Sequence, residues 1–357
     1  MNVLLIRLRL IGDVVFTTPI PRALKRAFPG ARVSYLVEQA AAPVVAHNPH
    51  IDDVIVVGRT RGIRRALEDV KLAGRLRKAR YDTVVDLHGG PRSSWLSLLS
   101  GAKQRIGYEI HGRSWMYSRT VARPRALRAR HSVVNQWDLL EAIDGWPGRP
   151  VDPGGDAVNM PADPRADAAI AHRLHAAGVG PDAELVVAHV SAGNPFRRWP
   201  EAAFADVLAT LARESVRRRV IVSSGPSDRE AALRITAAVR QSLGDHGDRI
   251  VEFGEFDLAE LRSLIARSRL FIGGDTGPLH IAATTATPIV GLYGPTLAAR
   301  SAPWRDPAIP TESLEVSGLP CRPCDQRVCV PGDFRCLTTL APADVISAAH
   351  RALGWTA

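Results

Sequence analysis

Short apolar runs alternate with amphipathic stretches through the first part of this chain. Four apolar runs predict buried strands, at residues 3–6, 33–37, 54–57 and 83–87. The stretches between them, such as residues 20–28 and 63–79, repeat apolar positions at helical spacing. Strands that alternate with helices in this way are typical of a parallel sheet covered by helices.

The pattern stops at residues 145–164, where glycine, proline and aspartate are dense, as is typical of a linker. It then resumes with predicted strands at residues 185–190, 220–223, 270–273 and 289–292. Predicted helices separate or follow these strands, near residues 200–214, 228–243, 258–267, 277–285 and 342–353.

We therefore predict an α/β protein of two domains. Residues 1–160 form the first domain and residues 161–340 the second, while residues 341–357 form a C-terminal helix that can pack back on the first domain. Ligands of open α/β sheets bind at the carboxyl ends of the strands, so we expect the functional residues there, in a cleft between the two halves.

Composition and charge exclude several classes of protein. The chain has 357 residues, of which 46% are hydrophobic and 23% charged, and this excludes a mainly disordered protein. No apolar run suits a transmembrane helix, and Arg7 and Arg9 interrupt the apolar N-terminus too early for a signal peptide, so we expect a cytoplasmic protein. The net charge of +10 indicates an anionic partner. Nucleic acid is disfavoured, since only 6% of residues are aromatic and no common binding module is present.

The first candidate for chemistry is Asp13, which follows Gly12 directly after the first predicted strand. One interpretation is helix capping, because aspartate is a favoured cap. The other is a general base at the carboxyl end of a strand. No G-x-G-x-x-G follows this strand, which disfavours a dinucleotide-dependent dehydrogenase.

The second domain offers three candidate loops for a phosphorylated ligand. Residues 273–280 (GGDTGPLH) combine a glycine-rich helix start with a hydroxyl and a histidine, and we favour phosphate binding there over a plain turn. After the strand at 185–190 come small residues and an arginine pair that can hold a diphosphate or remain solvated. After the strand at 220–223, Asp228 or Glu230 can accept from ribose hydroxyls or serve the helix start.

Four cysteines, Cys321, Cys324, Cys329 and Cys336, have the spacing C-x2-C-x4-C-x6-C. In a chain expected to be cytoplasmic, clustered cysteines bind metal or stay reduced more often than they form disulfides. Four thiolates can fill a tetrahedral Zn or Fe site, and such a site is structural because it leaves no open position. A structural metal and reduced thiols both stay open.

Arginines crowd residues 59–80 and 113–130 of the first domain. They form either a solvated face or a surface for an acceptor that carries phosphates or carboxylates, with a membrane surface as one setting. Arg61, Arg64 and Arg119 are our candidates for such contacts.

Four segments, taken in order, resemble the ADP-heptose:lipopolysaccharide heptosyltransferase family. They are IRLRLIGDVVFTTPI at residues 6–20, RRWP at 197–200, FIGGDTGPLHIAA at 271–283 and VGLYGPT at 290–296. The resemblance extends over nearly the whole chain, and a run like that of the four cysteines occurs in some members. Arg9 and Leu10 depart from the common motif before Gly12-Asp13, which affects the acceptor more than the chemistry.

The resemblance implies a GT-B fold, in which two Rossmann-like domains with doubly wound parallel sheets face a central cleft. It implies an inverting transfer of heptose from ADP-L-glycero-D-manno-heptose to a lipopolysaccharide inner-core acceptor. No cofactor is required for that catalysis. The partners are then an ADP-sugar donor and an anionic glycolipid, with peripheral contact at the cytoplasmic face of the inner membrane left open.

The resemblance also assigns roles to individual residues. Asp13 takes the place of the catalytic base, and Arg197 that of the basic residue that assists catalysis before the W-P pair. The residues implied in donor binding are Ser191, Arg197, Asp228, Glu230, Asp275, Thr276, Gly277 and His280.

Two other classes compete with this prediction. One is a GT-B enzyme with another nucleotide sugar or another acceptor, either a glycan or a protein, including a non-hydrolysing epimerase. The other is a non-catalytic protein that binds anionic surfaces through its basic face.

Overall fold

The structure is a computed structural model that describes residues 1–123 and 129–354. The chain divides into two compact units, Met1–Pro161 and Ala162–Ala357. None of the helices within the described ranges has both the length and the apolar character needed to cross a membrane.

The first unit contains a parallel sheet with the strand order β3-β2-β1-β4-β5-β6 among the described residues. Its strands are β1 Asn2–Ile6, β2 Arg32–Glu38, β3 Asp53–Val57, β4 Thr83–Asp86, β5 Gln104–Tyr108 and β6 Arg119–Val121. Its helices are α1 Ile11–Thr17, α2 Pro19–Ala27, α3 Gly62–Lys78, α4 Pro91–Leu99 and α5 Ser132–Glu141.

The central strands of this sheet are buried on both faces, as parallel strands covered by helices must be. Val3, Leu4, Leu5 and Ile6 have no exposed surface, which explains why the sequence of β1 is an uninterrupted apolar run. Strand β1 pairs with both β2 and β4, so the chain direction across the sheet reverses between β1 and β4. The loops after β1 and β4 therefore lie at the switch point where ligands of such sheets bind.

The second unit repeats this topology, with the strand order β12-β11-β10-β7-β8-β9 among the described residues. Its strands are β7 Glu184–His189, β8 Arg218–Ser223, β9 Ile250–Val251, β10 Leu270–Gly274, β11 Ile289–Tyr293 and β12 Thr311–Glu315. All pairs are parallel, and the switch point lies between β7 and β10, where Gly273 is opposite His189. Both units are thus doubly wound and Rossmann-like.

Helices cover the second sheet as well. They are α6 Pro164–Ala176, α7 Glu201–Arg213, α8 Arg229–Leu243, α9 Leu258–Ala266, α10 Gly277–Ala282, α11 Ala298–Ser301, α12 Arg335–Thr338 and α13 Pro342–Leu353. The sequence allowed the last helix to pack back on the first domain. Instead, its apolar face (Val345, Ala348 and Ala349) belongs to the hydrophobic core of the second unit, and α13 packs on α7, β11 and β12.

The predicted linker at residues 145–164 is largely an ordered part of the first unit. Asp156 is completely buried and forms ion pairs with Arg26 and Arg149. The backbone N–H of Asn159 donates to Thr18 Oγ1 at 2.8 Å. A polar, glycine-rich composition predicted a loop correctly, but it could not reveal that a buried carboxylate anchors this loop to the sheet domain.

Candidate active site

Asp13 lies in the first turn of α1, just beyond the end of β1. The N-cap of this helix is Leu10, and Asp13 is the third helical residue, so the capping interpretation of Asp13 is wrong. Its carboxylate forms an ion pair with the guanidinium of Arg7, and the Asp13 side chain is 37% exposed. The carboxylate is therefore held in place on one side and open to a ligand on the other.

Arg7 is the residue that holds Asp13, and sequence reasoning missed it. It follows β1 directly and is buried. Its guanidinium also donates to the carbonyl of Leu87, directly after β4. Arg7 therefore joins the two loops of the switch point and fixes the carboxylate between them. The signal that could have identified Arg7 in the sequence is its position, directly after the apolar run of the first predicted strand.

A basic cavity of about 560 Å³ lies at the carboxyl ends of β1 to β4. Its lining includes the charged side chains of Arg9, Glu38, Arg59, Arg61, Arg65 and Arg92, together with His88. Arg59 and Arg92 share Glu38, at 3.5 and 3.8 Å, and Arg92 also binds Asp69 at 2.7 Å. Even with those acidic partners, arginine is in excess, so the cavity suits an anion.

Of the three arginines predicted to bind an acceptor, only Arg61 lines this cavity. Arg64 lies on the exposed side of α3. Arg119 lies on β6 and forms an ion pair with Asp144 at 2.5 Å. Residues 124–128 of the second arginine-rich stretch fall outside the described residues.

His88, after β4, is the titratable ring in this cavity. Burial lowers the pKa of His88, and the positive charges of Arg7 and Arg9 lower it further, to about 4. The imidazole is therefore neutral near pH 7, where it can donate or accept a hydrogen bond with a ligand without adding charge.

In the second unit, the loops after β7 and β10 meet at Arg197 and Asp275. Arg197 Nη1 donates to the backbone carbonyl of Asp275 at 2.7 Å and lies 3.3 Å from its carboxylate. The arginine side chain is 29% exposed, whereas that of Asp275 is buried. The structure thus brings together two residues that the sequence placed 78 positions apart.

Asp275 is a buried carboxylate that contacts several neighbouring side chains. Thr296 Oγ1 donates to it at 2.5 Å, and His280 Nε2 lies 3.4 Å from its other oxygen. Burial works to raise the pKa of Asp275, but the contacts with His280, Arg197 and Thr296 outweigh burial and lower the pKa to about 2. Asp275 is thus a buried anion that orients Arg197 and His280, and it does not itself suit contact with a phosphate.

The start of α10 offers fewer backbone donors than its glycine-rich sequence predicted. Thr276 is the N-cap and Gly277 the first helical residue, whose N–H has no partner within the helix. Pro278 carries no N–H, and the N–H of Leu279 already donates to Thr276 at 3.1 Å. The Gly277 N–H is therefore the backbone donor available beside Arg197. The Thr276 hydroxyl donates to the carbonyl of Gly274 at 3.3 Å and must turn away from that carbonyl to meet a ligand.

Ser191 and Asp228 also meet, after β7 and β8. Asp228 accepts hydrogen bonds from Ser191 Oγ at 2.5 Å and Ser227 Oγ at 2.8 Å, and it pairs with Arg198 at 2.7 Å. Asp228 and Glu230 both line a cavity of about 410 Å³ beside Trp199, but Asp228 is buried and already bonded, whereas Glu230 is exposed. Glu230 is therefore better placed than Asp228 to accept from ribose hydroxyls.

The four cysteines line one small cavity, where none is in a disulfide. Burial raises the pKa of Cys336, and the neighbouring thiols act in the same direction. In the described part of the chain, however, no three side chains of His, Cys, Asp or Glu are arranged to hold a metal ion. The prediction of a structural metal therefore stays a prediction.

One contact of the cysteine segment bears on Arg197 directly. Gln326, between Cys324 and Cys329, accepts hydrogen bonds from Arg197 Nε at 2.8 Å and from Asn194 Nδ2 at 2.9 Å. Sequence reasoning missed Gln326, because nothing in a lone glutamine 129 positions from Arg197 points to it.

Comparison with known sequences shows which family the chain resembles. The profile of glycosyltransferase family 9 (heptosyltransferase) matches residues 70–332, which is more than half of the chain. Lipopolysaccharide heptosyltransferase 3 of Escherichia coli is 27% identical over 352 residues, covering 97% of each chain. Lipopolysaccharide heptosyltransferase 1 of Pseudomonas aeruginosa is 25% identical over 339 residues, covering 92% of this chain and 87% of its own.

Solved structures share the fold. The glycosyl transferase family 9 protein from Veillonella parvula superposes with a TM-score of 0.79 at 21% identity, covering 99% of this chain and 97% of its own. The Escherichia coli heptosyltransferase WaaC with ADP superposes with a TM-score of 0.72 at 19% identity, covering 99% and 100%. The predicted GT-B fold class, with two Rossmann-like domains, is confirmed.

Proposed function

The chain belongs to glycosyltransferase family 9, the heptosyltransferases, and from this premise we propose that it transfers heptose from ADP-L-glycero-D-manno-heptose to a lipopolysaccharide inner-core acceptor. It is a glycosyltransferase by family. The donor, the acceptor and the catalytic residues are the parts that we propose.

One observation carries the donor assignment: Arg197, Thr276 and Gly277 come together at the switch point of the second sheet. A guanidinium, a hydroxyl and a backbone N–H are the donors that a diphosphate requires. The neighbouring cavity, lined by Trp199 and Glu230, suits a nucleoside. The structure of the Escherichia coli relative was solved with ADP, which fits this nucleotide class.

The acceptor is assigned to the first unit. The basic cavity with Arg9 and Arg61 lies at the same switch point as Asp13 and suits phosphates or carboxylates of an inner-core glycolipid. The family relatives from Escherichia coli and Pseudomonas aeruginosa carry lipopolysaccharide in their names, which supports an acceptor of this kind.

The mechanism follows from these groups. Asp13 removes the proton from an acceptor hydroxyl as its oxygen attacks the anomeric carbon of the donor, with inversion at that carbon. The bond to the β-phosphate oxygen breaks, and negative charge develops on ADP. Arg197, with the Thr276 hydroxyl and the Gly277 N–H, stabilises that charge. Arg7 keeps the carboxylate of Asp13 in position and Asp275 does the same for Arg197.

A ligand panel tests the proposal first. Thermal unfolding is followed with ADP, ADP-heptose, UDP and GDP, and ADP-heptose is then incubated with delipidated inner-core acceptors, with product analysis by mass spectrometry. A ligand at about 100 times its Kd stabilises its site by about 2.7 kcal/mol, which gives a measurable shift in Tm. Stabilisation by UDP or GDP instead of ADP would contradict the donor. An acceptor panel that yields no heptosylated product would contradict the transfer.

A further inference from the structure

The outer side of α3 carries apolar residues that no part of the described chain covers. Ile63, Leu67 and Val70 are 82%, 60% and 70% exposed. They are spaced i, i+4 and i+7, so they form one stripe along the helix. Leu72 and Leu76, on the opposite side, are buried in the core of the first unit. The stripe is therefore not needed to hold α3 on its sheet.

Helix α4 packs beside α3 and has a similar outer surface. Arg92 of α4 binds Asp69 of α3 at 2.7 Å, which ties the two helices together. Trp95 and Leu99 of α4 are exposed, and so is Trp115, whose ring meets that of Trp95 edge to face with 5.9 Å between the centroids. Exposed tryptophans of this kind are typical of surfaces that sit at a lipid–water interface.

Charge decides which partner this surface fits. On the helical wheel, Arg64, Lys71 and Lys78 flank the apolar stripe, and α3 has six basic residues against two acidic ones, Glu68 and Asp69. An apolar stripe flanked by basic residues, with tryptophans nearby, matches an anionic lipid surface and not a second protein of the same positive charge.

We propose that the outer face of α3 and α4, defined by Ile63, Leu67, Val70, Trp95, Leu99 and Trp115, docks on a membrane that contains anionic lipid. The apolar side chains enter the headgroup region, while the flanking arginines and lysines contact lipid phosphates. Arg61 immediately precedes α3, so docking would present the basic cavity to an acceptor embedded in the same membrane. In this last respect the inference rests on the proposed function.

Vesicle co-sedimentation tests the docking. The full chain is mixed with vesicles of pure phosphatidylcholine or with 30% phosphatidylglycerol added, at low and at high salt. We expect binding to the anionic vesicles only, and a loss of about tenfold or more in the triple variant Ile63→Gln/Leu67→Gln/Val70→Gln, because three apolar anchors are removed. Val216→Gln in the second unit is the matched control, since Val216 is 76% exposed.

The outcomes separate the docking face from the transfer reaction. A triple variant that binds anionic vesicles like the unmodified chain overturns the docking face. A triple variant that instead changes the mass measured by light scattering overturns it in favour of contact between copies. Activity on a delipidated acceptor tests the proposed function alone, and we expect the triple variant to keep that activity while losing it on vesicle-embedded acceptor.

A second inference comes from Gln326, by a separate observation. Its amide oxygen accepts from both Arg197 and Asn194, and its backbone is left-handed, with φ at +61°. A glutamine in this conformation persists only where its surroundings impose it. The segment around it is anchored, because the Cys324 N–H donates to Pro295 at 3.1 Å and Arg322 donates to Thr296 at 2.8 Å.

The geometry points to Gln326 as a positioning residue for the donor diphosphate. Gln326 and Asp275 together occupy Nε and Nη1 of Arg197, and within residues 1–123 and 129–354 nothing occupies Nη2. Gln326 would thus turn the free corner of the guanidinium toward a ligand. This inference rests on the proposed contact between Arg197 and the diphosphate.

Calorimetry with ADP and ligand-observed NMR with adenosine test this role. Gln326→Met keeps the length of the side chain but removes the acceptor oxygen, and we expect ADP affinity to fall about tenfold while adenosine affinity stays the same. In the Arg197→Ala background, Gln326→Met should cause no further loss. Val330→Ala, at an exposed position of the same segment, is the control.

Three results would each contradict a different part of this inference. If Gln326→Met weakens adenosine as much as ADP, the residue is merely structural and the inference is overturned. If only Arg197→Ala weakens ADP, Gln326 does not position it, although the proposed donor site stands. If Arg197→Ala binds ADP like the unmodified protein, the donor site itself is wrong.

Discussion

Arg198 pairs with Asp228 at 2.7 Å, whereas its neighbour Arg197 pairs with Asp275 at 3.3 Å. Two consecutive arginines, which the sequence alone does not distinguish, thus contact different loops of the second sheet. Arg198 satisfies a buried carboxylate beside the nucleoside cavity, while Arg197 remains able to meet a diphosphate.

This division predicts different losses on substitution. Arg197→Ala should weaken ADP binding about 10- to 100-fold, because a charge-assisted contact with the diphosphate is lost. Arg198→Ala should lower the free energy of unfolding by about 1 kcal/mol, because Asp228 loses a partly exposed cation. Calorimetry with ADP and urea unfolding of both variants check this pair, and a reversed pattern would exchange the two roles.

Asp13→Asn should lower kcat about 10²- to 10⁴-fold with ADP affinity unchanged, because an amide cannot take the proton of the acceptor hydroxyl. Steady-state kinetics with ADP-heptose and a delipidated acceptor measure this. Glu141→Gln, an exposed carboxylate on α5, is the control and should leave kcat unaltered. A near-normal kcat for Asp13→Asn would falsify the assignment of the base.

Most of the strands that the sequence predicted are buried on both faces. The exception is β3, an edge strand with an apolar run in which Val56 is 50% exposed. Strand β1 is apolar throughout because helices cover it, so its pattern is unmistakable. Strand β12, with the sequence TESLE, lies at the edge of its sheet and is only partly buried, and β9 has two residues. β9 is too short and β12 too polar to carry a continuous apolar run, so neither could be predicted from periodicity.

The sequence predicted the candidate site only in part: it identified the residues that follow central strands but not the contacts that support them. Asp13, Arg197 and Thr276 follow central strands, and parallel strands bring their carboxyl ends to one edge, so chain order alone placed them near a switch point. The supporting contacts are of another kind. Gln326 reaches Arg197 from a segment without regular structure, and such a contact depends on side-chain packing that no local pattern encodes.

Arg61→Ala should raise the KM for an anionic acceptor several-fold and leave kcat nearly unchanged, because Arg61 is assigned to binding and not to the chemical step. The salt dependence of KM should also become weaker. Arg75→Ala is the matched control, because Arg75 lies on α3, the helix that Arg61 precedes, but pairs with Asp53 at 3.3 Å. Equal effects of both substitutions would mean that general surface charge, and not the cavity, attracts the acceptor.

His189 gives the second unit a pH dependence of known sign. It is buried at the end of β7, with Nδ1 3.0 Å from Ser223 Oγ, and burial lowers its pKa from 6.5 to about 4. The unfolded chain therefore binds a proton between these two pH values while the folded chain does not, so folding stability falls as pH falls through that range.

We expect His189 to contribute a loss of about 2 kcal/mol between pH 7 and pH 5. Urea unfolding of the unmodified protein and of His189→Asn at both pH values measures this contribution, since asparagine does not titrate. The difference in unfolding free energy between the two pH values should be smaller in His189→Asn by that amount. The same pH dependence in both proteins would contradict the prediction.

The four cysteines can be tested for metal directly. Their side chains line one cavity without a ready-made metal geometry, so binding would require the sulfurs to rotate toward a common point. The spacing of the four thiols is compatible with such a site, and we propose that the protein purified under reducing conditions contains close to one equivalent of zinc or iron. Elemental analysis of the unmodified chain and of Cys329→Ser decides this, with thiol titration as a second readout.

Because Gln326 belongs to this segment, Cys329→Ser should weaken ADP binding together with metal content. Four freely titrating thiols without metal would instead establish the segment as reduced, held in place by contacts such as those of Arg322, Cys324 and Gln326.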